Sequence, residues 1–231
     1  MKEDSMQNAG AQILAAALVH VPFDGWSDDT LAAALRDSGH APVVGAALFP
    51  RGGVDMAAAY HRFGDVQLAE MMARQDPSNL RYRDRVAGAI RARLDCADKE
   101  AVRKGAALFA LPRYAPEGAA LIWGTADAIW TALGDSSRDV NWYSKRVTLS
   151  AVYSAAVLYW LGDTSQNDQQ TAEFIDRRIE NVMQFEKIKA GFRKNRIVSG
   201  LMMGPLKIFE RISAPDGREN LPGIFSGRAQ R

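Results

Sequence analysis

The feature that most constrains this chain is the spacing of its apolar residues. Many of them are alanine, they recur about every 3.6 residues, and no alternating run closes on an Asn-Gly or Asp-Gly turn. A strand needs side chains that change face with a period of about 2, and that pattern is nearly absent. Residues 8–19, 28–37, 43–48, 54–60 and 66–75 read as short helices. Longer ones are expected over 80–94, 98–110, 117–133, 140–160 and 169–189, with a last one over 194–212. Pro22, Gly25, Gly39, Pro42, Pro50, Gly52-Gly53, Pro77, Pro112, Pro116, Gly134 and Gly162 separate them. Asn79 and Asp139 stand where N-caps belong. No repeat of fixed period is found. The expected fold class is all-α.

With 231 residues, 47% hydrophobic and 24% charged, the chain holds enough apolar material for a real core and is neither disordered nor collagen-like. Its one cysteine, Cys96, cannot make an internal disulfide. No apolar run reaches the ~18 residues that span a bilayer. Met1–Gly10 is polar and shows no signal or transit pattern, so the protein is expected to work where it is made. The net charge of +2 is unevenly spread. Residues 1–185 carry 19 Lys/Arg against 23 Asp/Glu, a net of −4, and residues 186–231 carry 10 against 4, a net of +6. A basic segment on an acidic body points to an acidic partner, either nucleic acid or an anionic membrane surface.

Thr30–Leu35, the Gly39 turn and Pro42–Phe49 are spaced like a helix-turn-helix. The second helix, Val43–Phe49, has no Lys, Arg, Asn or Gln, and Arg51 is the only cation near it. Such a helix cannot read base edges or neutralise several phosphates, so a packing role is expected and no nucleic acid partner. His20, His40 and His61 are scattered, and Cys96 has no ligand-spaced neighbour, so no metal site is expected. Phosphate-binding glycine loops and nucleophile elbows are missing. Asp127 and Asp139 are read as capping or surface carboxylates rather than a catalytic pair. No catalytic residue and no cofactor is expected, and the chain reads as a non-enzyme.

The richest aromatic stretch is Ala119–Leu161. Trp123 and Trp130 share one helix face, as do Tyr153 and Trp160, and residues 147–161 are apolar nearly all round. Two such helices either pack an ordinary core or enclose an apolar ligand pocket. Trp142 and Tyr143 are adjacent, about 100° apart on a helix, so they cannot both enter one core. One is an exposed interface anchor or closes a core edge. Residues 194–212 carry Ile197, Leu201, Ile208 and Ile212, flanked by Val198, Met202, Leu206 and Phe209, beside Lys194, Arg196, Lys207 and Arg211. That is the pattern of an amphipathic helix lying in a membrane interface, or of one docked on the body or on a second subunit.

A resemblance follows from longer stretches: Val21–Trp26, Phe49–Gly53, Asp98–Val102, Gly134–Arg146, Tyr159–Asp163 and Asp176–Ile179. Over about residues 10–189 the chain resembles the accessory lipid-binding protein family of ubiquinone biosynthesis, the ninth member of the coenzyme Q set. The resemblance implies a TetR-like helical fold without DNA binding. It comprises a helix-turn-helix-like unit over 8–76, a lipid-binding part over 77–189 and a basic membrane-associating helix and tail over 190–231. It implies no catalysis, an isoprenoid or quinone lipid held in an apolar cavity, peripheral membrane attachment and a homodimer. It also implies presentation of polyprenyl intermediates to the pathway's hydroxylase. The candidate lipid-binding residues are Trp123, Trp130, Tyr153, Val157 and Trp160. The hydroxylase patch maps to Asp139, Trp142 and Tyr143, where Arg138 departs from the small polar residue expected. The membrane residues map to Lys194, Arg196, Ile197, Val198, Leu201, Met202, Leu206, Ile208, Phe209 and Ile212. Because mitochondrial members begin with a transit peptide, the expected location is the cytoplasmic face of a bacterial membrane. The competing reading is a TetR-like transcriptional regulator with an apolar ligand pocket.

Overall fold

A computed structural model describes residues 2–74, 80–138 and 140–194. Among them it is all-α, with no strand and nine α-helices, an arrangement consistent with the TetR-like class. Two compact units emerge. The first takes the described residues up to Leu68 together with Arg93–Leu121, and the second takes Ala69–Ala92 and the described residues from Ile122 onward. The boundaries fall inside α4 (Gly53–Ala73), α5 (Tyr82–Asp95) and α7 (Ala115–Ala132).

In the first unit, α1 (Lys2–Asp24) contributes Ile13, Leu14, Ala17 and Val21 to a core shared with Ala34 and Leu35 of α2 (Asp28–Asp37) and with Phe49, Met56 and Ala101. Ser27 caps α2, its Oγ accepting from the Thr30 N–H at 3.1 Å, and Asp28 and Asp29 sit in the first turn where the helix dipole favours them. α1 runs five residues past its expected end at Val19 and contains Pro22. Pro22 has no N–H to offer the Leu18 carbonyl, and the helix ends two residues later. Gly25 at φ +67° closes it, donating to the Val21 carbonyl at 2.9 Å.

α3 (Pro42–Leu48) packs closely on α2 because Gly45 has no side chain: a Cβ there would come within 2.6 Å of Leu35 Cδ1. Val43, on this short helix, is exposed. Arg51 is committed to Asp55 at 2.8 Å and to Glu117 at 2.8 and 2.9 Å, which raises its pKa further. The cation that a DNA reader would need is thus already neutralised.

Three of the stretches that carry the resemblance meet around Trp26. Its Nε1 donates to the Ala101 carbonyl at 2.9 Å, and its ring lies 5.3 Å from that of Tyr60. Asp98 caps α6 (Lys99–Phe109), accepting from the Ala101 N–H at 2.8 Å, while the Asp98 N–H donates to the Tyr60 hydroxyl at 2.7 Å. Gly53 passes so close that a Cβ would sit 2.3 Å from the Trp26 carbonyl oxygen.

The two helices expected over 54–60 and 66–75 are one, α4. Gly64 lies at its middle as a close-approach site. The guanidinium of Arg93 packs over it, and an added Cβ would meet Arg93 Cζ at 2.6 Å. Arg93 is 3% exposed and donates to Asp65 Oδ1 at 2.7 Å and to the His61 carbonyl at 2.8 Å.

In the second unit, α8 (Val140–Gly162) and α9 (Gln169–Lys194) pair along their length, with a single 3-10 turn at Gln166–Asp168 between them. Asn167 and Asp168 take left-handed backbone angles of +53° and +52°, which these two residue types tolerate better than most. The turn is tied back on both sides. Trp160 Nε1 donates to Asp168 Oδ2 at 2.8 Å, and Asp163 accepts from the Ser165 N–H, the Thr171 N–H and the Thr171 hydroxyl at 2.8, 2.8 and 2.6 Å.

Candidate functional site

The site is a cavity of about 300 Å³ within the second unit. Its walls come from α5, α7, α8 and α9. Val86, Leu149, Val152, Ile179, Val182 and Met183 form the apolar wall. At the other end stand Ser137, Asn141, Ser144, Lys145 and Thr148, and the rings of Tyr82 and Trp130 flank them, stacked with centroids 5.9 Å apart. The α8 positions 141, 144, 145, 148, 149 and 152 follow i, i+3, i+4, i+7, i+8 and i+11, so they share one helix face.

Two ion-pair systems border the cavity. Lys145 Nζ donates to Asp135 Oδ1 and to Ser137 Oγ, each at 2.7 Å, and lies 5.5 Å from the Trp130 ring centroid. The Trp130 indole N–H in turn donates to the Lys145 carbonyl at 3.1 Å. Arg83 donates to Glu180 Oε2 at 2.8 Å. Behind Lys145, the buried Arg146 donates to Asp127 Oδ1 at 2.6 Å, to Asp135 Oδ2 at 3.2 Å and to the Trp142 carbonyl at 3.2 Å. Burial alone would push the Asp135 carboxyl up, but hydrogen bonds from Lys145, Ser137 and Arg146 hold it down to about 2.

Of the five expected lipid-binding residues, Trp130 lines this cavity. Tyr153, Val157 and Trp160 are buried in the core of the second unit, 3%, 9% and 5% exposed. Trp123 is half-buried, its ring 6.0 Å from that of Trp142 and 6.4 Å from that of Tyr143. The structure buries Trp142 rather than presenting it as a surface anchor: it is 9% exposed, with the Arg146 guanidinium 3.9 Å above its ring. Tyr143 is the more open of the adjacent pair. Asp139 lies outside the described residues. So do Arg196, Ile197, Val198, Leu201, Met202, Leu206, Ile208, Phe209 and Ile212, while Lys194 ends α9.

Sequence reading missed Tyr82, Lys145, Asp135 and Arg146 as site residues. Lys145 and Arg146 look like surface charges in sequence, because their partners lie on a loop and on α7. The one available signal was their place in the stretch Gly134–Arg146, two adjacent cations opposite Asp135.

Residues 115–186, which contain α8, the polar end of the cavity and most of α9, match the COQ9 family model. These residues are similar to the COQ9 family. Over 191 residues it is 30% identical to the protein named Ubiquinone biosynthesis protein COQ9, mitochondrial, of Drosophila melanogaster, a match covering 80% of this chain and 58% of that relative. The COQ9-A protein of Xenopus laevis is 29% identical over 78% of this chain and 59% of its own length. Human COQ9 is 25% identical over 78% and 58%. The chain therefore spans less than two thirds of these COQ9 relatives. Their names also overturn one expectation: the relatives are mitochondrial proteins, so a location on a bacterial cytoplasmic membrane is withdrawn.

Proposed function

We propose that this chain is a non-catalytic, lipid-binding accessory protein of ubiquinone biosynthesis, which holds a polyprenyl quinone intermediate and presents it to a pathway hydroxylase. The observation that carries the reading is the cavity: an apolar wall from α5, α8 and α9 with a polar, aromatic end, most of its lining within the region that matches COQ9. A polyprenyl tail leaves a bilayer only at a cost of about 0.8 kcal/mol for each CH₂ exposed to water. An apolar cavity offsets part of that cost while the head ring travels to an active site. The amphipathic pattern of 194–212 supports attachment to the membrane where such lipids reside, each cation near an anionic leaflet contributing about 1 kcal/mol. Tyr143 is the ring best placed to meet the hydroxylase, with Trp142 behind it as support.

Membrane attachment is tested by flotation with anionic liposomes. The full chain is expected to float, and a chain ending at Lys189 to stay in solution. Equal behaviour of the two would remove the tail from the reading.

A further inference from the structure

The most exposed large apolar side chain among the described residues is Phe23, at 84%, and Val19, one turn before it, is 68% exposed. Both lie on α1, in the first unit and apart from the cavity. At about 100° per residue, Gln12, Ala15, Val19, Pro22 and Phe23 fall within one arc of about 100° on that helix. The arc carries no charged residue, and at about 1.5 Å of rise per residue it runs for roughly 17 Å. Scattered apolar residues are ordinary on a surface, but an uncharged face with an aromatic ring standing clear of it marks a contact.

Acidic residues border this face on the side of α2. Asp24 follows Phe23 directly, Asp28 and Asp29 open α2 and Asp37 ends it, and all four are exposed. Asp37 Oδ2 lies 2.7 Å from Nε2 of His20, the neighbour of Val19, and Gln12 Oε1 lies 2.9 Å from His40 Nε2. The cations close by are fewer, Arg36 on α2 and Lys104 of α6 beside Gly25. A negative border disfavours an anionic bilayer and suits an apolar partner that carries cations. The chain holds such a partner in residues 186–231, whose net charge is +6. Ile197, Leu201, Ile208 and Ile212 have the spacing of one helical stripe, and Arg196, Lys207 and Arg211 have the spacing of a row along one edge of it. At about 1.5 Å per residue that stripe is roughly 22 Å long, enough to cover the α1 face.

We infer that the apolar face of α1 is the docking site of this chain's basic segment, residues 194–212, when no membrane is present. The isoleucine and leucine stripe covers Val19 and Phe23, and the row of cations meets the carboxylates beside them. One stripe cannot lie on α1 and in a bilayer at once, so the two compete for it, and the docked fraction lowers the apparent affinity for membrane. The membrane side of that competition rests on the attachment proposed above; the docking on α1 does not.

The test uses the full chain and a zero-length carbodiimide cross-linker, which joins a lysine amine to a carboxylate in contact with it. Without vesicles, Lys194 or Lys207 is expected to couple to Asp24, Asp28, Asp29 or Asp37, as read by mass spectrometry of the digested protein. Vesicles of phosphatidylcholine and phosphatidylglycerol should abolish those links. The double variant Val19→Ser, Phe23→Ser alters only exposed side chains. It should lose most of the cross-links and float with the same vesicles at a several-fold lower lipid concentration. Asp24→Lys, which leaves the apolar face whole, is expected to act in the same direction. Val66→Ser, at an exposed position of α4, should change neither reading. Segment lysines that couple elsewhere or not at all would overturn the docking, as would a double variant that floats like the wild type. Weaker flotation of the double variant would make the α1 face itself a bilayer contact, which also overturns it. Cross-links to α1 in a chain that never floats would keep the docking and overturn the membrane attachment.

Discussion

His61 and Asp135 give the two units separate responses to acid. Burial drives His61 down to about 4, with Arg93 and Arg62 acting in the same direction and Asp65 opposing them. A histidine whose folded pKa lies below its unfolded value of about 6.5 binds fewer protons when folded, so stability falls as pH drops from about 6.5 to 4. Asp135 has the opposite chemistry and a lower window. Its carboxylate, held down to about 2, contributes stability above the unfolded pKa of about 4, and that contribution disappears as pH falls toward 2. The amount is on the order of 2 kcal/mol, from about 1.4 kcal/mol for each pKa unit. Thermal midpoints measured from pH 7 to pH 2 should therefore fall in two stages. His61→Asn should flatten the upper stage and Asp135→Asn the lower. Gly64 gives a third test at this scale: Gly64→Ala would place a methyl group against the Arg93 guanidinium. Despite alanine's better helix propensity, the variant should lose about 1–3 kcal/mol in urea unfolding. A gain in stability would show that Arg93 yields at no cost.

At the level of elements, the helices most legible in sequence are those bounded by local chemistry. α2 has its Ser27 cap, and α6 has Asp98. Where a boundary depended on a distant residue, sequence reading erred. Residues 61–65 were left between two helices because nothing there announces Arg93, 29 residues beyond Gly64, as the group that packs over it. The site was legible to a similar degree. Trp130 follows from aromatic periodicity, but Tyr82, Lys145 and Asp135 do not, since a polar residue acquires its role from partners that only tertiary packing supplies. The α8 start carries the sharpest element-scale prediction. Trp142→Ala removes a buried ring that supports Arg146 and should destabilise the fold by about 3–5 kcal/mol. Tyr143→Ala, at a more open ring, should cost much less and instead weaken hydroxylase binding. Equal losses of stability would make Tyr143 a core residue and remove it from the proposed interface.

For the molecule as a whole, the proposed function gives the two helical units different tasks, with lipid holding assigned to the second. The first keeps a helix-turn-helix order with an uncharged second helix, and its Arg51 is paired with Glu117. The second holds the cavity and most of the region matched to COQ9. The most direct measurement is mass spectrometry of lipid extracted from the purified full chain, compared with Val152→Trp, which fills the apolar wall. The wild-type chain should carry an isoprenoid quinone or its precursor in near-stoichiometric amount, and the folded variant should carry almost none. Wild-type protein free of isoprenoid lipid, or a variant that retains it fully, would contradict the account.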